Sequence, residues 1–194
     1  MIRFELKKHK HIYEQPQFGE NWFTYPTLYK DMVQKYPGKS IFVEVGAWKG
    51  KSAAYMAVEI ANSNKQINFY VVDTWEGSIE HKENPELSKL YDIFLDNMKP
   101  VEQYYFPMRM TSLEAAKQFD DNSVDFIFID ASHEYQDVVD DLKAWYPKLK
   151  TGGILAGHDY YPDQPTWGGV YKAVNEVFSN NHRHIDGNCF MISK

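Results

Sequence analysis

The sequence predicts an α/β fold: a doubly wound, mostly parallel sheet of seven strands with an antiparallel edge strand at the C-terminal end. Three observations point to it. Short β-branched and aromatic runs alternate with longer amphipathic stretches. Four of those runs end on a glycine turn or an acid, at Gly46, Asp73, Asp130 and His158-Asp159. The last two runs flank Gly187-Asn188, which reads as a hairpin rather than another crossover.

Residues 1–20 show no period and suit a strand, an extended arm or a contact with a second subunit. Leu28, Met32, Val33 and Tyr36 then fall at helical spacing behind Pro26, and Pro37-Gly38 ends that helix. It is expected across the sheet edge or over the site, with Trp22, Phe23 and Tyr25 before it as a lid or as core. Ile41 to Val45, β-branched and aromatic apart from Glu44, suits a buried parallel strand. Gly46 and Gly50 supply a tight turn, and Ser52 to Ile60 is a helix of small residues that lies close on a sheet. Strand, glycine turn and helix make the first unit of a Rossmann-like nucleotide site.

Ile67 to Asp73 is the second strand, followed by a polar loop over 78–88 containing Pro85. Leu87, Leu90, Tyr91, Phe94, Leu95 and Met98 mark a helix ended by Pro100. Tyr104 to Met110 forms a third strand whose Pro107 suits a sheet edge. Thr111-x-x-Glu114 opens the next helix as a capping pattern, in which Ser112 is read as a cap as well. Val124 to Asp130 is the fourth strand. Tyr135, Val138, Val139, Leu142, Trp145, Tyr146 and Leu149 line the inner face of the helix after it, which Gly152-Gly153 stops. Ile154 to Asp159 is the fifth strand. A loop through Pro162, Pro165 and Trp167 leads to a helix over 169–178, then to the closing hairpin of 184–186 and 189–192.

The 194 residues fit one domain, 1–194, with 1–40 as an N-terminal helical or lid segment and 41–194 as the ligand-binding core. Such a chain buries roughly 70% of its unfolded surface. A formal charge of −6 argues against a general nucleic-acid binder. No apolar run approaches the roughly 20 residues that cross a bilayer, and the basic N-terminus has no apolar h-region. The single cysteine, Cys189, allows no internal disulfide, which fits a reducing, cytoplasmic setting. Aromatic residues near the N-terminus are compatible with a homo-oligomer.

The strand ends suggest the chemistry. A dinucleotide site wants G-x-G-x-x-G, and the G-x-x-x-G here carries Trp48 in place of a middle glycine, so a pyrophosphate ligand is disfavoured. Glu44 is expected to point a carboxylate into the crevice, toward the ammonium of an amino-acid ligand. Asp73, 23 positions beyond Gly50, suits ribose hydroxyls, with Trp75 walling an adenosine pocket. Asp130 and Asp159 end neighbouring strands roughly 5 Å apart. Carboxylates that close repel unless a proton or cation lies between them. A divalent cation is the economical answer, with His158 as a third ligand or a supporting donor and His133 about one turn away. His9, His11, His81, His182 and His184 read as surface residues without partners.

Val-Glu-Val-Gly-Ala-Trp-Lys-Gly-Lys-Ser resembles motif I of the class I S-adenosylmethionine-dependent methyltransferases, acid-x-Gly-x-Gly-x-Gly, departing at Trp48 as a subgroup of small O-methyltransferases does. Ile-Asp-Ala-Ser-His-Glu-Tyr and Gly-Gly-Ile-Leu-Ala-Gly-His-Asp-Tyr resemble the metal-dependent O-methyltransferases related to macrocin and cephalosporin-hydroxylase-like enzymes, more distantly catechol O-methyltransferase. The resemblance spans 40–178. It implies S-adenosyl-L-methionine held by Glu44, Gly46, Ala47, Trp48, Gly50, Ser52, Asp73, Trp75, Ser112 and Asp130. It further implies Mg²⁺ or another divalent cation on Asp130, His158 and Asp159, His133 and Asp130 as catalytic residues with His133 the base, and a small-molecule acceptor hydroxyl. Many relatives carry an acid where His158 stands. Two alternatives stay open: a metal-dependent hydrolase on a Rossmann-like fold, which leaves Glu44 and Asp73 without a ligand, and a non-catalytic S-adenosylmethionine-binding module.

Overall fold

A computed structural model describes residues 8–78, 81–162, 168–179 and 181–194. In chain order the main elements are α1 (Pro26–Lys35), β1 (Ser40–Val45), α2 (Lys51–Ser63), β2 (Ile67–Asp73), α3 (Leu90–Met98), β3 (Phe106–Arg109) and α4 (Ser112–Ala116). There follow β4 (Val124–Ile129), α5 (Tyr135–Trp145), β5 (Leu149–Gly157), α6 (Gly168–Phe178), β6 (Arg183–Ile185) and β7 (Cys189–Ser193). One sheet runs β3-β2-β1-β4-β5-β7-β6. The pairs from β3 through β5 are parallel, whereas β7 pairs antiparallel with β5 and with β6, which takes the edge. The order reverses between β1 and β4, the place where open α/β sheets bind ligands.

Strand alternation divides the core in two. Phe42, Phe126, Phe128, Ile154 and Ala156 face the side covered by α1, α2 and α3. Val43, Val45, Ile127, Ile129 and Leu155 face the side covered by α4, α5 and α6. Helix α1 therefore lies over a sheet face rather than an edge: the Tyr29 ring stands 5.0 Å from Phe128 and 6.0 Å from Phe126. Its C-terminal carbonyls are capped by Lys65, whose Nζ donates to Val33, Gln34 and Tyr36 oxygens at 2.7, 2.8 and 2.6 Å. Phe23 and Tyr25 belong to the core, whereas Trp22 is 54% exposed.

Two expected boundaries move. Leu149 starts β5 instead of ending the preceding helix, and Gly152-Gly153 lie inside that strand. Val124 pairs with Leu149 but Phe126 with Ile154, so residues 150–153 bulge out of the ladder and need a left-handed glycine, Gly152, at φ 80°. Pro107 sits on edge strand β3, where its missing N–H costs no ladder bond. The expected loop residues Pro165 and Trp167 lie outside the described residues.

Candidate active site

Register brings the expected site residues into one row. Val45 pairs with Val72 on one side and Ile129 on the other, and Ile129 pairs with Gly157. The residues one step beyond, Gly46, Asp73, Asp130 and His158, therefore stand along the carboxyl edge. Three of them extend the ladder: Gly46 N–H donates to Val72, Asp130 N–H to Val45 and His158 N–H to Ile129, at 2.8, 2.7 and 3.1 Å. At Gly46 the backbone is left-handed, φ 91°, and an added Cβ would lie 1.9 Å from the Asp130 carbonyl oxygen. Only glycine lets β1 and β4 approach this closely.

The glycine turn and the end of β2 are tied through one carboxylate. Ala47 and Trp48 donate their backbone N–H groups to Asp73 Oδ2 at 2.8 and 3.0 Å, and Trp75 N–H donates to Oδ1 at 2.7 Å. A carboxylate offers about four lone-pair sites, so roughly one, on Oδ1, is left toward the cavity. Trp75 itself turns the other way. It is 1% exposed, packs on Tyr91 and Phe94 with centroids 4.6 Å apart, and donates Nε1–H to the Trp48 oxygen at 3.0 Å. It braces the turn from below and does not wall the pocket.

Glu44 also departs from expectation. Its side chain is 1% exposed and lies on the Phe42 face of β1, under α1 and α2, where it accepts from the Ser52 hydroxyl. Burial pushes its carboxyl up to about 8, against the Ser52 hydrogen bond, which favours the charged form. Neither Glu44 Oε2 nor the Tyr29 hydroxyl completes a hydrogen bond in this geometry. Glu44 thus sits behind the turn, and Ser52 is the member of the pair that reaches the cavity. At the other end of the row Ser112 lines the cavity and accepts from Trp145 Nε1–H at 2.9 Å. The cap of α4 is Thr111, which with Glu114 forms a reciprocal capping box, so Ser112 is the first helical residue and not the cap.

Two acids and two histidines gather past β4 and β5. His133 Nε2 lies 2.8 Å from Asp159 Oδ2, and His158 Nδ1 lies 3.3 Å from Asp159 Oδ2 and 3.6 Å from Asp130 Oδ1. Tyr25 donates its hydroxyl to Asp130 Oδ2 at 2.7 Å. Burial, then the charge of Asp130, holds that phenol well above its usual range, so it stays a neutral donor. Burial alone would lower His158, but hydrogen bonding and charge from Asp130 and Asp159 outweigh it and raise the imidazole to about 10. Burial would likewise raise Asp159, yet its histidine partners hold it well below the usual carboxylate range. The spot demands positive charge. Donor atoms of Asp130, His133 and Asp159 all lie within 4.8 Å of one another, so these residues fit a cation, and the grouped histidine is His133, whereas the expected third ligand His158 borders the same two carboxylates.

Above the row opens a cavity of about 1210 Å³, lined by Gly46, Ala47, Asp73, Ser112, Asp130 and His133 among others. It exceeds the roughly 300–1,000 Å³ of a small-ligand pocket, leaving room for a nucleoside-sized ligand and a second molecule. Its mouth is aromatic: His81 stacks on Trp48 at 4.3 Å, and Trp22 stands 6.0 and 6.2 Å from those two rings. His81 is therefore no plain surface residue. His182 and His11 have partners as well, the Tyr160 hydroxyl at 2.7 Å and Glu59 Oε1 at 2.9 Å. Trp48 at φ 49° and Gly50 at φ 87° shape the turn beneath this mouth.

A reversing parallel sheet with a glycine turn after β1, an acid ending β2 and a cavity at the switch point defines a Rossmann-like α/β protein. The chain belongs to the methyltransferase domain family, whose model matches residues 43–160. It is 30% identical over 117 residues to an uncharacterized protein of Sinorhizobium fredii, covering 60% of this chain and 13% of that protein. It is 23% identical over 178 residues to an uncharacterized protein of Acanthamoeba polyphaga mimivirus, covering 90% and 75%. Among solved structures it is similar to the O-methyltransferase NovP, with TM-score 0.63 and 15% identity over 87% of this chain and 78% of that one. An O-methyltransferase of Bacillus cereus in complex with SAH gives 0.60 and 15% over 90% and 84%. These structural likenesses establish the class I methyltransferase fold. Among the described residues no helix is long and apolar enough to cross a membrane.

Proposed function

We propose that this chain transfers a methyl group from S-adenosylmethionine to a hydroxyl of a small-molecule acceptor, with a divalent cation assisting. The observation that carries the reading is one cavity bounded by the Asp73-braced glycine turn and, a few residues along the same edge, by the Asp130, His133, His158 and Asp159 cluster. When bound, S-adenosylmethionine supplies a methyl carbon made electrophilic by its sulfonium. The Gly46 turn receives the amino-acid end, Asp73 Oδ1 accepts a ribose hydroxyl, and Ser112 meets the adenine end. Asp130, Asp159 and, once its Nδ1 proton is lost, His158 would hold the cation, which when present lowers the pKa of an acceptor hydroxyl.

His133 is the base in this reading. Asp159, 2.8 Å from Nε2, orients the ring, and the imidazole takes the hydroxyl proton. Holding both reactants on one rigid edge supplies proximity. The test is methyl transfer from labelled S-adenosylmethionine to a panel of hydroxylated small molecules and their amine analogues, with Mg²⁺ or EDTA. Product confined to hydroxyl acceptors and suppressed by EDTA supports the reading. Equal methylation of amines, or activity indifferent to EDTA, contradicts the acceptor or the cation assignment.

A further inference from the structure

The segment ahead of α1 reaches into the site. Thr24 Oγ1 lies 2.9 Å from His158 Nε2 and 2.9 Å from the carbonyl oxygen of Gly187. A hydroxyl has one proton and a carbonyl oxygen only accepts. The proton therefore goes to Gly187, and Oγ1 accepts from His158, whose Nε2 must carry a hydrogen. The β6–β7 turn holds the hydroxyl in place, because a Cβ at Gly187 would come within 2.8 Å of the Thr24 carbonyl oxygen. The imidazole is 7% exposed, with the Tyr25 ring 5.0 Å away.

With Nε2 engaged, Nδ1 is directed to Asp130 and Asp159 at 3.6 and 3.3 Å. Both distances exceed the roughly 2.7–2.9 Å of a tight charge-assisted hydrogen bond, so in the metal-free protein Nδ1 shares its proton loosely between the two carboxylates and leaves a gap among the three groups. We propose that Thr24 is a positioning residue: by accepting Nε2–H it presents His158 Nδ1 to the gap between Asp130 and Asp159 as a ligand for a divalent cation, whose binding releases the Nδ1 proton to solvent. The inference rests on the cation reading above. Imidazoles that ligate metals ordinarily pass their other N–H to a fixed acceptor, and losing that acceptor weakens metal affinity roughly 10–100-fold.

Calorimetric titration with Mn²⁺ alone, on wild type, Thr24→Ser and Thr24→Val, tests it alongside a side-chain ¹⁵N–¹H spectrum of ¹⁵N-histidine-labelled, metal-free protein. Wild type and Thr24→Ser should bind Mn²⁺ within a few-fold of each other and show a slowly exchanging His158 Nε2–H. Thr24→Val should bind roughly 10–100-fold more weakly and lose that signal, with S-adenosylhomocysteine affinity unchanged. Thr24→Val with wild-type Mn²⁺ affinity, or wild type without a protected Nε2–H, overturns the proposal. Wild type that binds no Mn²⁺, yet loses the signal on Thr24→Val, overturns the cation reading and leaves Thr24 holding the ring.

Discussion

Tyr25 donates its hydroxyl to Asp130 Oδ2 across 2.7 Å, joining a residue ahead of the first helix to the end of the central strand β4. Tyr25→Phe removes the donor while keeping the ring that packs 4.3 Å from Phe128. A hydrogen bond to a charged group contributes roughly 1.5–3 kcal/mol, less where water replaces the donor, so a loss of about 1–2 kcal/mol in urea unfolding at unchanged slope is expected. An unchanged midpoint would mean the bond adds nothing to stability.

Asp73 is predicted to control cofactor affinity. Asp73→Ala removes the acceptor for a ribose hydroxyl and for the Ala47, Trp48 and Trp75 amides. Binding of S-adenosylhomocysteine should weaken by roughly 1.5–3 kcal/mol, about 10- to 150-fold in calorimetry. Wild-type affinity in this variant would remove Asp73 from the binding site.

Glu44 gives a pH signature. Its folded carboxyl is raised to about 8 from an ordinary 4.5. The unfolded chain releases the proton first, so the stability this group contributes is fully present below pH 4.5 and is lost as pH rises through 8. Glu44→Gln, which keeps an acceptor for Ser52 and cannot ionise, should gain melting temperature relative to wild type between pH 5 and 8.5, by several degrees, and level off above. Parallel melting curves for the two proteins would contradict a buried, raised carboxyl.

The row of strand ends was legible because it needs only alternating apolar runs and their terminal residues: Gly46, Asp73, Asp130 and His158 all stand where the runs stop. Glu44 carried an unused signal. Two residues from Phe42, it had to share that side chain's face beneath the helices rather than enter the crevice. Trp48 and Trp75 were not separable: both are left-handed at turns, φ 49° and 55°, and packing against α3 decides that Trp75 goes inward. Thr24–His158 and Tyr25–Asp130 join residues 134 and 105 positions apart, and no local period encodes such pairs.

His133 should separate chemistry from binding. His133→Ala is expected to lower turnover on the order of 10²- to 10⁴-fold, the usual contribution of a positioned base, with S-adenosylhomocysteine affinity held within about twofold. Single-turnover kinetics at saturating cofactor reads this directly, and a normal methyl-transfer rate would leave His133 as a helix-entry residue or a cation ligand.

The central claim is that the cavity at the switch point is an S-adenosylmethionine site. Titrating S-adenosylmethionine into the metal-free wild-type chain in a calorimeter tests it without knowledge of the acceptor. Saturable binding at about one molecule per chain, sharply weakened by Asp73→Ala, is the predicted result. No saturable binding at millimolar ligand, or binding indifferent to Asp73→Ala, would contradict the account.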